Sequence, residues 1–133
     1  NRDNCEIVVA IQDMATKEVQ NTAKASMLQA TFDYDATISQ VYYPLQQVCG
    51  DELAPRIEIK NYGGINLTTA DIEYSINGGD VAVYSWTGDL AFTEAEDINL
   101  PAIPFTWDAT NTVTIAVTNP NGQDGENPNN NSV

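Results

Sequence analysis

Residues 71–86 of the chain read DIEYSINGGDVAVYSW, and this stretch decides the fold class. Apolar side chains alternate with polar ones at Ile72, Tyr74 and Ile76, as in a strand that buries one face. Asn77-Gly78-Gly79 then provides residues that tolerate the positive φ angles of a tight reversal, and residues 81–86 run back as a second arm. The stretch therefore predicts an antiparallel β-hairpin.

The same alternation recurs on both sides of this hairpin. Residues 56–60 place Ile57 and Ile59 on one face and charged side chains on the other. Further strands are predicted where short alternating runs end at proline or are flanked by threonine: residues 36–43, 98–100 and 113–117. Turn signals at these spacings predict a mainly β chain with an antiparallel β-sandwich over residues 31–133. Residues 119–131 predict a loop, and a strand would begin at Val133, so the sandwich is expected to lack its last strand.

The first 30 residues predict a separate β-hairpin. Residues 6–13, EIVVAIQD, carry apolar side chains on both faces, which is typical of a strand covered on both sides. Residues 14–18 predict a turn, and residues 19–27 predict a returning strand, with a weak helix as the alternative because Ala23, Lys24 and Ala25 favour one. An isolated hairpin is marginally stable in water. We therefore expect it to belong to a preceding domain or to a partner.

Several short motifs follow one another in order between residues 35 and 133. They include Cys49-Gly50, Gly63-Gly64, Ile76-Asn77-Gly78-Gly79, Trp86-Thr87-Gly88 and Asn119-Pro120-Asn121-Gly122. This combination resembles the immunoglobulin-like modules of secreted Bacteroidota proteins, and it is similar to the cell-adhesion-related domain found in bacteria, CARDB. The resemblance implies an immunoglobulin-like β-sandwich.

A shorter stretch near the beginning carries a second resemblance. Its motifs are Val8-Val9-Ala10, Thr16-Lys17-Glu18-Val19 and Asn21-Thr22-Ala23-Lys24. It resembles the end of the thioredoxin-like domain in relatives of a Bacteroidota outer-membrane lipoprotein. The resemblance implies a protein exported by the type IX route to the cell surface, the outer-membrane exterior or the medium. No Cys-x-x-Cys motif is present, so no redox activity follows from it.

The charge of the chain limits its partners. The 133 residues include 19 acidic and 5 basic side chains, which gives a net charge of −14. Such a surface repels nucleic acid and anionic lipid, and no apolar run is long enough to insert into a membrane. The acidic balance fits either simple solubility or a surface that binds divalent cations.

Cys5 and Cys49 are the two cysteines of the chain, and there is no histidine. A zinc site with histidine or a Cys-His nucleophile is therefore not available. A disulfide between the two would stabilise the fold by about 4 kcal/mol through the loop that it closes. The alternative is a pair of buried free thiols.

Three aromatic residues are candidates for a ligand or partner surface. Tyr84 and Trp86 share one face of the second hairpin arm, and Trp107 follows Pro104 in a loop. Exposed rings of this kind can stack on sugars. For Trp86 the competing interpretation is a core residue packed between two sheets.

Oxygen-bearing side chains near the end of the chain suggest a calcium site. Asp124, Glu126, Asn127 and Asn129 could supply such ligands, although their spacing does not match an EF-hand loop. Asp51 and Glu52 form a second candidate pair, and a plain linker is the alternative for residues 124–129. Apart from Ca²⁺, no cofactor is expected.

These observations predict a protein without catalytic activity. No histidine is available as a base, and Lys17 and Lys24 lie outside the sandwich, so a serine or cysteine nucleophile would lack an activator. We expect an accessory or adhesion module of a larger secreted or cell-surface bacterial protein, with other domains of that chain, neighbouring surface proteins or glycans as partners. The alternatives are a structural subunit that polymerises by β-strand donation and a calcium-dependent glycan-binding module.

Overall fold

A computed structural model describes residues 6–26, 28–44 and 50–133. Within these described residues, ten strands follow one another: β1 (Glu6–Gln12), β2 (Val19–Ser26), β3 (Ala36–Tyr43), β4 (Glu52–Leu53), β5 (Arg56–Asn61), β6 (Leu67–Ile76), β7 (Ala82–Leu90), β8 (Ala95–Asn99), β9 (Ile103–Pro104) and β10 (Val113–Thr118). A short 3₁₀ turn, Pro120–Gly122, follows β10. The described part of the chain contains no helix with the length and apolar character needed to cross a bilayer.

The sandwich consists of two three-stranded antiparallel sheets. One has the strand order β10-β6-β7 and the other β3-β5-β8, while the short strands β4 and β9 pair separately. The predicted mainly β, antiparallel immunoglobulin-like fold is confirmed. The central hairpin is longer than predicted, because the pairing of β6 with β7 continues to Leu67 and Leu90.

The core lies between the two sheets and follows the predicted alternation. Ile57 and Ile59 of β5 are completely buried, and they face Ile72 of β6 and Ile115 of β10 within one apolar cluster. The intervening side chains of β5 are more exposed and include Arg56, whose guanidinium forms an ion pair of 2.7 Å with Asp97 of β8. The strands β5, β6 and β10 therefore each contribute one apolar face to the core, as their sequences predict.

A buried asparagine joins the two sheets. Asn61, at the end of β5, is 1% exposed, and its Nδ2 donates hydrogen bonds of 2.9 Å to the carbonyl oxygens of Ile65 and of Leu90 in β7. Its Oδ1 accepts a bond of 2.8 Å from the backbone N–H of Gly63. A side chain at Gly63 would collide with the backbone, since a Cβ there would lie 2.4 Å from the carbonyl oxygen of Asp33. The residues after β5 are thus fixed by polar contacts rather than by apolar packing.

The end of the chain lies against both sheets. Residues 131–133 bond to β10, with bonds of 3.0 and 2.9 Å between the backbones of Ile115 and Val133 and a bridge between Ala116 and Ser132. The Thr37 hydroxyl of β3 donates a bond of 2.5 Å to the Asn130 carbonyl oxygen. That the sandwich lacks a last strand stays a prediction.

The N-terminal hairpin forms as predicted, but its faces are open. Strands β1 and β2 pair from Glu6 with Ser26 to Gln12 with Val19, and the weak-helix alternative for residues 19–27 is wrong over β2. The sequence predicts that β1 is covered on both sides, and the described part of this chain does not supply that cover. Val8, Val9 and Ile11 are 63%, 59% and 63% exposed, because β1 pairs with β2 and with no other described strand. Its assignment to a preceding domain or a partner stays a prediction.

Candidate functional site

An aromatic cleft at one end of the sandwich is the best-formed candidate site. It is built by the segment between β9 and β10, which crosses from one sheet to the other. Strand β9 pairs with β4, and the backbone N–H of Phe105 donates a bond of 2.9 Å to the carbonyl oxygen of Asp51. Phe105 packs against Trp107 with a centroid distance of 4.9 Å and an interplanar angle of 58°. Both rings belong to the segment that links β9 to β10.

Trp107 is held in place at its polar atom. Its Nε1 donates a bond of 2.7 Å to the carbonyl oxygen of Gly50, a residue whose φ of 116° favours glycine. The side chain nevertheless remains 50% exposed. A ring that is anchored by one atom and open over much of its surface loses little conformational entropy when a ligand covers it.

Two adjoining cavities flank Phe105. One has a volume of about 470 Å³ and lies between the β6–β7 turn, the start of β7 and residues 103–106. The other, of about 390 Å³, lies between Leu53, Trp107, Val113 and residues 108–111. Ile76 and Phe105 line both cavities, so the two form one cleft around the Phe105 ring, which we call the Phe105 cleft.

Asparagines fix the loops that border the Phe105 cleft. The Asn77 Oδ1 accepts a bond of 2.8 Å from the Thr112 backbone N–H, and its Nδ2 donates one of 2.9 Å to the Asn111 Oδ1. The Asn111 side chain in turn bonds to the backbone of Asp108 at 3.1 and 3.2 Å. The β6–β7 turn and the loop before β10 are therefore tied together, and the cleft is preformed.

The lining of the cleft suits binding rather than catalysis. Its titratable side chains are the exposed carboxylates Asp80 and Asp108, one beside each cavity. The other lining groups are apolar side chains, amides, two threonine hydroxyls and backbone. Such a surface can bury an apolar group of a ligand and attract a cation beside it.

The three aromatic residues predicted to lie on the surface differ in their exposure. Trp107 is exposed at the Phe105 cleft. Trp86 is 3% exposed and belongs to the core, so its assignment to a ligand surface is wrong and the core interpretation holds. Its ring lies over Gly88, where a Cβ would come within 2.3 Å of the ring. Tyr84 is partly buried against the same core, which leaves little of its ring for a ligand.

The predicted calcium ligands do not come together with other acidic side chains. The Glu126 Oε2 accepts bonds of 2.7 and 2.8 Å from the backbone N–H groups of Asp33 and Tyr34, so its carboxylate holds the segment before β3. Asp124 and Asn129 are exposed. Among the described residues, no three histidine, cysteine or acidic side chains are grouped as a metal site requires.

The other residues predicted as metal ligands or as a disulfide do not form a common site with these in the described part of the chain. Asp51 and Glu52 are exposed beside the Phe105 cleft, where the Asp51 carbonyl oxygen bonds to Phe105 and Glu52 begins β4. Asn127 is half-buried, and its Nδ2 donates a bond of 3.3 Å to the Asp35 carboxylate. Cys5 and Cys49 lie outside the described residues, so their disulfide stays a prediction.

The sequence analysis did not identify Phe105 or the buried Asp35 with its asparagine partners. Phe105 could have been found from the alternation of aromatic residues in Pro104-Phe105-Thr106-Trp107. Asp35 is 6% exposed and accepts bonds from Asn127 and from Asn130, at 3.0 Å for the latter, across more than ninety residues of sequence. No local signal could have found that contact.

A polar cluster lies on the outer face of β6. The two carboxylate oxygens of Asp71 accept bonds of 2.9 Å from the Asn119 side chain and 2.8 Å from the Ser85 hydroxyl. These two bonds, the one from Asn119 first, lower the pKa of Asp71 below its usual value of 3.8. The cluster joins β6, β7 and the residue that follows β10.

Comparison with known proteins supports the fold. No protein-family profile matches the chain, and no curated protein matches it. A solved structure that is similar is the CARDB domain of a Pyrococcus furiosus protein, determined in complex with di-metal ions. The TM-score is 0.52 at 23% identity, over 77% of this chain and 90% of that domain. The sandwich is thus similar to a CARDB domain in its fold.

Proposed function

We propose that residues 31–133 form a non-catalytic accessory module of a larger secreted or cell-surface bacterial protein, acting as a spacer or in adhesion. The observation that carries this proposal is the preformed Phe105 cleft on a CARDB-like sandwich. Trp107 is half exposed there and anchored to Gly50, and the cleft walls are mainly apolar. The work of such a module is binding at a rigid surface.

The location of the module rests on resemblance. The immunoglobulin-like motifs and the short thioredoxin-like stretch support export by the type IX route in a member of the Bacteroidota. The net charge of −14 is compatible with an extracellular surface. The partners would be other domains of the parent chain, neighbouring surface proteins or glycans, at the outer-membrane exterior or in the medium.

The calcium-dependent glycan-binding alternative stays a prediction. The similar Pyrococcus domain was determined with di-metal ions. In this chain the Glu126 carboxylate is already bonded to two backbone N–H groups, and the described residues hold no acidic trio for a metal. These residues do not fit a metal centre, so we propose Ca²⁺ neither as a cofactor nor as part of the binding mechanism.

Retention on coated surfaces tests the proposal. Beads carrying the protein are washed over surfaces of mucin glycans and of bacterial outer-membrane vesicles, with Trp107→Ala as the cleft variant. Tyr42→Ala is the matched control, since Tyr42 is an exposed aromatic on β3, outside the residues that line the cleft. We expect Trp107→Ala to weaken retention about tenfold, which corresponds to 1.4 kcal/mol, and Tyr42→Ala to have little effect. Equal retention of both variants would reject the cleft, and turnover of a substrate by the isolated chain would reject a non-catalytic role.

A further inference from the structure

The N-terminal hairpin carries an apolar surface that nothing in the described structure covers. Val9 and Ile11 lie on one face of β1 and Val8 on the other, and each is more than half exposed. A two-stranded hairpin is at best marginally stable in water without a further sheet or helix. The apolar character of both faces is typical of a strand inside a larger sheet.

The sandwich offers a sheet edge of the same kind. Strand β7 is the last strand of the β10-β6-β7 sheet, and no described strand pairs with its outer side. Edge strands are usually protected by charged residues, proline or bulges. On β7 such protection lies at its far end, where the pairing with β6 is irregular at residues 87–90 and Asp89 is exposed. At its beginning, Val81, just before β7, and Val83, within it, are each 59% exposed.

The Phe105 cleft lies directly beside this edge. Val81 and Ala82 line its cavity of about 470 Å³ together with Ile103 and Phe105. A strand added to β7 would therefore meet apolar surface on both sides. One of its faces would continue the patch of Val81 and Val83, and the other would cover the cavity.

We propose that β1 of one copy adds to β7 of a second copy, so that one sheet runs β10-β6-β7 and continues into the partner's β1 and β2. The seven residues of β1 are short enough to pair within the nine of β7. This pairing explains why β1 is apolar on both faces, because each face gains an apolar neighbour. The chain's own hairpin leaves Val81 and Val83 exposed, and β1 has a free edge of its own, so a second copy offers the edge that each strand lacks.

The distribution of charge favours the hairpin as the part that approaches. Three of the 5 basic residues, Arg2, Lys17 and Lys24, precede residue 31, so the sandwich carries most of the net charge of −14. Two sandwiches repel each other, whereas the hairpin adds little to this repulsion. Because salt screens repulsion between exposed charges, with a Debye length of about 10 Å at 0.1 M, association should become stronger as the salt concentration rises.

The inference goes beyond the proposed function and leaves it possible, because the added strand would cover the cavity beside Val81 and not the one beside Trp107. It is tested by the mass of the chain in solution. Sedimentation equilibrium of the 133-residue protein, from low micromolar to near-millimolar concentration, should show association that increases with salt. Val9→Lys damages the donated strand, and Val83→Lys damages the accepting edge. Both positions are exposed in the single chain, so both variants should remain folded. Thr114→Lys is the matched control, because Thr114 is exposed on β10 of the same sheet, away from β7.

Mixing the two variants gives the decisive result. Each should be monomeric alone, while an equimolar mixture should form dimers, because Val83→Lys still has an intact β1 and Val9→Lys still has an intact β7. Thr114→Lys should associate like the wild type. A wild type that stays monomeric over the whole range, or association that survives both substitutions, would overturn the inference. A monomer in which the β1 amides that do not bond to β2 are nonetheless protected from hydrogen exchange would also overturn it, since the free edge of β1 would then be covered within its own chain.

Discussion

Replacing Asn61 by alanine should destabilise the sandwich more than its small change in volume suggests. The side chain is almost completely buried and makes three hydrogen bonds, two from Nδ2 and one to Oδ1. Alanine removes all three, and the backbone groups that they served stay where the strands place them. The cost therefore depends on whether those groups find other partners.

The three backbone groups that bond to Asn61 differ in whether they find another partner. The Leu90 carbonyl oxygen loses a buried partner, at a cost of about 2 kcal/mol. The Ile65 carbonyl oxygen belongs to an exposed residue and can bond to water, which reduces its cost to about 1 kcal/mol. The Gly63 N–H keeps its bond of 2.9 Å to the Asp35 carbonyl oxygen, so its loss is small. The sum is about 3 kcal/mol, or about 10 °C in melting temperature for a domain of this size.

Urea unfolding followed by the fluorescence of the buried Trp86 measures this loss. Asn99→Ala is the matched control, because Asn99 is exposed at the end of β8, and its free energy of unfolding should change by less than about 0.5 kcal/mol. If Asn61→Ala lowers the free energy of unfolding by less than about 1 kcal/mol, the hydrogen bonds of Asn61 do not hold the sheets together, and the reasoning from unsatisfied backbone groups is refuted.

Three further predictions follow from single contacts. Gly88→Ala should displace the Trp86 ring, cost about 2 kcal/mol and shift the tryptophan emission to longer wavelength; unchanged emission would contradict the close contact. The lowered pKa of Asp71 stabilises the fold above pH 3.8, and this contribution is lost as the pH falls through the native pKa. Acid titration of Asp71→Asn should therefore show a smaller loss of stability than the wild type, and identical profiles would reject the effect. Glu126→Gln should speed hydrogen exchange of the Asp33 amide, because a neutral acceptor binds it more weakly; NMR would show an unchanged rate if the bond contributes nothing.

The strands were predictable from the sequence because their signal is local. Ile57 and Ile59 alternate with charged neighbours, and two residues of context are enough to assign their faces. Trp86 was ambiguous, since β7 carries apolar residues on both faces. The core accepts the larger ring, which lies over Gly88, and leaves Val83 outside.

The candidate site was only partly predictable because its geometry depends on distant residues. Trp107 was correctly expected at the surface, but its anchor Gly50 lies 57 positions earlier in the chain. The pairing of β4 with β9, which places Phe105, joins two strands of two residues each that have no periodicity to detect. Glu126 was interpreted as a metal ligand because its partners, the N–H groups of Asp33 and Tyr34, cannot be found from neighbouring residues.

The contacts between the segment before β3 and the end of the chain also determine how the sandwich would respond to force. Glu126 is bonded to Asp33 and Tyr34, and Thr37 to Asn130, so the two flanks of the sandwich are joined at one place. If these flanks were pulled in opposite directions, tension would reach this junction, and the bonds of residues 131–133 to β10, before it reached the hydrogen-bond ladders of β5 and β6. These contacts would open first, so the chain would lengthen while the two-sheet core remained folded.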